Sequence, residues 1–144
     1  MNLPRALGCL VTMGLVGCTG FRAREPSAYP PHPVASCAGK PLDENKVTLV
    51  KEAYLVGKKQ LQAHIRVRGC SPRPIEVCSS GDILTVYPGL VELFVLPTPE
   101  EQACTAPFTT QVFDLSLESI PVPLAKCKPS GAMGGRIQCE LPSG

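Results

Sequence analysis

"LQAHIRVR", residues 61–68, alternates without a break. Leu61, Ala63, Ile65 and Val67 fall on one face, and Gln62, His64, Arg66 and Arg68 on the other. A two-residue period held this long is that of a β-strand with one face in a core and one toward solvent. Comparable runs recur on both sides of it. KVTLVKEAY spans 46–54, IEVC 75–78, ILTVY 83–87 and LVELFVL 90–96. PFTTQVFDL spans 107–115, SIPVPL 119–124 and RIQCEL 136–141. Turn-forming clusters separate them: Gly57 after the first run, then SPRP, SSGD, YPG, PTPEEQ and PSGAMGG. No segment carries a helical period. Seven or eight short strands in about 100 residues imply an all-β domain, an antiparallel β-sandwich of immunoglobulin-like dimensions. A small barrel is the alternative. Pro121 and Pro123 would confine SIPVPL to an edge, because proline has no N–H to give a ladder.

Upstream the composition changes. The chain opens MNLPRALGCLVTMGLVGC, with Arg5 followed by an uncharged apolar run from Ala6 to Val16. That run is too short for a membrane-spanning helix, which needs about 20 residues, and matches the apolar region of a signal peptide. Gly8, Gly14 and Gly17 argue against a buried helix. At its end Leu15-Val16-Gly17-Cys18 resembles the lipobox of bacterial lipoprotein precursors. The resemblance covers the targeting segment and implies cleavage before Cys18, with a diacylglyceryl group on the thiol and acylation of the new amino terminus. Two or three acyl chains give stable attachment where one does not. Thr19 stands where an Asp would hold a Gram-negative lipoprotein at the inner membrane, so the resemblance implies the outer membrane. By this reading residues 1–17 are a signal peptide and 18–36 a lipidated cysteine with a tether. Pro26, Pro30, Pro31 and Pro33 give that tether an extended, spacer-like character, with His32 solvated among them. Residues 37–144 are the β-sandwich domain.

Of eight cysteines, Cys9 falls in the leader and Cys18 at its end. The remaining set, Cys37, Cys70, Cys78, Cys104, Cys127 and Cys139, is even, and in an exported chain it reads as a disulfide framework. Cys127 and Cys139 flank a Gly-rich turn, so a bridge across that hairpin is expected. Cys70 with Cys104 is the next pairing, and Cys37 with Cys78 follows by subtraction. A bridge closing a loop of about 15 residues is worth about 3 kcal/mol, which matters in a chain without Trp. The absence of CxxC argues against a redox dithiol and a zinc ribbon. The pieces RGC, QAC and FDLSL also resemble a pattern of small bacterial secreted or lipid-anchored β-domains. That resemblance implies a fold and no activity.

Few residues point to chemistry. A nucleophile–histidine–carboxylate arrangement would have to use His64, the one histidine in the expected domain, on the polar face of a strand. There is no G-x-S-x-G and no H-E-x-x-H, and GAMGG lacks the Lys and Ser/Thr of a P-loop. Asp43-Glu44 and Glu100-Glu101 read as solvated loop charge, and Asp82 and Asp114 as isolated. Lys and Arg number 14 against 12 Asp and Glu; losing Arg5 leaves +1, and no basic tract suggests nucleic acid. No metal or cofactor is expected. The one surface with a pattern is His64, Arg66 and Arg68, side by side on a strand face. It suits an anionic partner: lipopolysaccharide, a cell-wall carboxylate or an acidic envelope protein. The expected function is therefore a lipid-anchored, non-catalytic binding or structural module. The alternative is a protease or lysozyme inhibitor acting through the disulfide-stiffened 127–139 loop.

Overall fold

The structure, a computed structural model, describes residues 21–40, 42–43, 46–84, 89–130 and 134–143. The expected signal peptide, the lipobox-like Leu15–Cys18 and Cys9 lie outside the described residues. The described chain forms eight strands and one helical turn. They are β1 (His32–Ser36), β2 (Val50–Gly57), β3 (Gln60–Val67), β4 (Ile75–Leu84), β5 (Leu90–Pro97), α1 (Pro99–Gln102), β6 (Thr109–Ser116), β7 (Lys126–Ser130) and β8 (Arg136–Glu140). All strands belong to one sheet, in the order β2-β3-β6-β1-β4-β5-β8-β7.

The alternating stretch becomes β3, and its apolar row is the centre of the core. Leu61, Ala63, Ile65 and Val67 are fully buried, against Leu93 and Val95 of β5, Phe113 and Leu115 of β6, and Ile137 of β8. β3 pairs antiparallel with β2 and, over its whole length, with β6. The two end strands of the sheet, β2 and β7, come to lie beside each other, so the sheet is nearly closed. The segment leading into β2 completes the closure. Val50 N donates to Gly134 O (2.6 Å), Thr48 N to Val95 O (3.3 Å), and Arg66 N to Leu49 O (2.8 Å). The paired glycines permit this crossing. A Cβ on Gly134, which sits at φ +66°, would lie 2.7 Å from Leu49 Cδ1, and one on Gly135 would run into Val47.

Several expectations are corrected. The segment 18–36 was expected as a solvated tether, yet from Phe21 on it is part of the fold. Its end, β1, is a central strand, parallel to β6 through His32↔Leu115 and to β4 through Val34↔Val77. The sheet is therefore mixed, not purely antiparallel. Pro33 is tolerated because β1 changes partner there, from β6 on one side to β4 on the other. His32 is 4% exposed, edge-on to Phe113 at 5.6 Å, instead of solvated. SIPVPL forms no strand; Ile120 and Leu124 are buried within a loop. Conversely SSGD does not end a strand: Gly81, at φ +82°, lies where the β4–β5 register shifts between Ser79 and Ile83, and β4 runs on.

Disulfides join Cys37–Cys78, Cys70–Cys104 and Cys127–Cys139. Cys37–Cys78 ties the end of β1 to β4. Cys70–Cys104 ties the segment after β3 to the segment after α1. Cys127 and Cys139 are directly opposed in the β7–β8 ladder, with Cα atoms 4.1 Å apart.

Candidate functional site

The polar row of β3 does not form one continuous exposed face. The chain from Phe21 to Tyr29 lies across its first half as a strap. Arg22 N donates to Leu55 O at the β2 edge (3.0 Å). Gln62, with no exposure at all, takes Glu25 N on Oε1 (2.7 Å) and donates Nε2 to Glu25 O (2.6 Å) and to Asp114 Oδ1 (2.8 Å). Arg24 reaches Asp114 Oδ2 at 2.8 Å, and Ser27 Oγ donates to Val112 O at 2.9 Å. Asp114 is thus neither isolated nor solvated.

His64 belongs to this strap contact. Its Nε2 lies 2.8 Å from Glu25 Oε2 and 2.9 Å from the Tyr54 hydroxyl, which donates to the same Glu25 oxygen (2.5 Å). Burial, and then the Glu25 carboxylate, push the Tyr54 hydroxyl well above its ordinary range, so it stays a donor. His64 is committed to contacts within the fold.

Arg66 and Arg68, at the far end of β3, remain together on the surface. Both guanidinium groups sit over the ring of Phe108, at 4.8 and 3.9 Å from its centroid. Phe108 is 46% exposed. These three residues, with Lys46, Thr48 and Glu101, line a cleft of about 400 Å³ between the chain entering β2, the end of β3 and α1. The floor is fixed by an element that the sequence analysis took for a turn. Thr98 caps α1, accepting from Glu101 N (3.3 Å), with Pro99 at the first helical position. Glu101 is only 4% exposed. Its Oε1 accepts the backbone N–H groups of Arg68 (2.5 Å) and Gly69 (2.8 Å), and so holds the end of β3 in place. The Cys70–Cys104 bridge fastens the same corner. T-P-E-E is a capping-box pattern, and that signal could have found both α1 and Glu101.

The cleft has a net positive lining. Arg68 is occupied by the Ala106 carbonyl (2.6 Å). Arg66 and Lys46 have no carboxylate partner among the described residues. The Glu101 carboxylate is turned to backbone donors. Such a lining can take a small anionic group against an aromatic face. Among the described residues no group of three His, Cys, Asp or Glu is placed to hold a metal ion, and no helix is long and apolar enough to cross a membrane. No family model, no curated protein and no solved structure matches this chain.

Proposed function

We propose that the protein is a lipid-anchored lipoprotein of the outer membrane, and that its domain is a non-catalytic binding module for an anionic envelope component. The ligand group is a carboxylate or phosphate taken by Arg66 and Lys46 beside Phe108. The observation that carries this reading is a pair of cations, without a carboxylate partner among the described residues, lining a cleft with an exposed aromatic ring. A guanidinium stacked on a ring keeps its N–H edge free for an acceptor, so the stack presents Arg66 in a fixed orientation. The anchor reading rests on the lipobox-like Leu15–Cys18, and the export it implies fits a domain closed by three disulfides. In fold terms we read the sheet as a sandwich of immunoglobulin-like size. Its halves, β2-β3-β6 and β4-β5-β8-β7, share β1.

The test is co-sedimentation of the soluble part of the chain, residues 19–144, with purified cell-wall sacculi, and an NMR titration with acetylated acidic peptides. Binding that moves the Phe108 ring signals and is lost in Arg66→Ala is expected. Sacculi and acidic peptides that leave those signals unmoved would remove the reading.

A further inference from the structure

The strap fixes how the domain meets the membrane. This inference rests on the lipidation of Cys18. A solvated 18–36 segment would let the domain drift far from its anchor in any orientation. Instead the chain is docked from Phe21 onward. Phe21 packs on the core, Arg22 N bonds to Leu55 O, and the Arg22 guanidinium lies 3.9 Å over the Tyr54 ring. Arg22 is bound through its side chain to Glu52 as well (3.2 Å). Three residue steps separate Cys18 from Phe21, a reach of at most about 11 Å. Leu55, where the strap begins, stands next to the β2–β3 turn.

That turn, Val56-Gly57-Lys58-Lys59-Gln60, carries two lysines and no acidic residue. Lys58 is exposed and has no acidic partner among the described residues, and Lys59 donates to the Ile120 carbonyl. A bilayer surface with anionic headgroups complements it. From Gln60 the strand β3 leads directly away, and Arg68 lies eight residues on, about 25 Å at the rise of a β-strand. We infer that the β2–β3 turn, through the exposed Lys58, rests on the headgroups of the anchoring membrane, and that the Arg66–Phe108–Arg68 cleft is presented at the opposite end. The partner of the cleft then lies on the side away from the anchoring leaflet. It is a wall or protein component, not a lipid headgroup of that membrane.

The experiment uses the full lipidated chain in vesicles of zwitterionic lipid with an anionic fraction. A photo-crosslinking residue replaces Lys58 in one sample and Phe108 in another. Flotation with the vesicles, lipid adducts from position 58 and none from position 108 is the expected result. Flotation with equal adducts from both positions, or none from position 58, would overturn the orientation while leaving the anchor in place. Failure to float would overturn both. Gln62→Leu, which unpins the strap, is expected to float and to give adducts from both positions. If it kept the adducts confined to position 58, the strap would not be what sets the orientation.

Discussion

Gln62 and Asp114 face each other across the β3–β6 ladder and are joined by an amide-to-carboxylate hydrogen bond of 2.8 Å. The pair lies under the strap, and the same amide holds both the N–H and the carbonyl of Glu25. One buried side chain thus secures residues that proline content alone would assign to a tether.

Gln62→Leu leaves the Glu25 backbone groups and one Asp114 oxygen without that partner. A loss of about 2–3 kcal/mol is expected, read from denaturant midpoints. Hydrogen exchange should show faster exchange of the Glu25 amide, with the Leu61 and Ile65 amides still protected. Equal loss of protection everywhere would mean that the strap is not a separable layer.

His32 sets a pH dependence. Its ring is buried edge-on to the stacked rings of Tyr29 and Phe113, and neither nitrogen has a hydrogen-bond partner of good geometry among the described residues. Burial, and then the charge of Arg73, lower its pKa below the ordinary 6.5; the Pro30 carbonyl and Asp114 oppose them in part. With the folded pKa depressed, the unfolded chain binds the proton more readily. Its contribution to stability is therefore intact above about pH 6.5 and is lost as pH falls below it. His32→Phe should flatten the stability profile over that acidic window, compared with the wild-type chain by thermal unfolding at matched pH.

Gly135 stands where the chain entering β2 crosses β8. Gly135→Ala forces its methyl group into Val47 and should cost about 1–3 kcal/mol by overpacking. The Gly135→Ala, Val47→Ala double variant should recover part of that loss, which a double-mutant cycle measures.

Arg66 and Arg68 should separate stability from binding. Arg66→Ala removes an exposed stacking contact and should change stability by less than about 0.5 kcal/mol. It should weaken binding of an acidic ligand by about tenfold or more. Arg68→Ala also strips the Ala106 carbonyl of its donor, so both stability and binding should fall. Calorimetric titration alongside thermal melts distinguishes the two.

Opening the Cys70–Cys104 bridge with paired serines should cost about 3–4 kcal/mol by the loop-entropy estimate. It should also release the corner that Glu101 holds. Weaker ligand binding at a temperature where the variant is still folded would show that the bridge positions the cleft.

The legibility of the fold in the sequence followed the strength of local patterning. β3 reads directly because its inward row is wholly apolar, and β5 and β6 read nearly as well. β1 was hidden because prolines mask the strand signal, while its pairing depends on partners far along the chain, Leu115 and Val77. SIPVPL misled in the opposite way, since its buried residues cap the core from a loop. The basic pair of the candidate site was legible as Arg66 and Arg68. Phe108, Lys46 and Glu101 were not, because only the sheet order brings them to the end of β3. His64 shares the polar row of the arginines, but alternation specifies a face and cannot reveal that another segment covers half of it.

The intact mass of the membrane-extracted protein, unreduced and then reduced and alkylated, is the most direct test. The expected species begins at Cys18, carries acyl mass, and takes up label at Cys37, Cys70, Cys78, Cys104, Cys127 and Cys139 only after reduction. A species that retains Met1 and labels these thiols at once would contradict the anchor, the exported disulfide framework and the membrane orientation together.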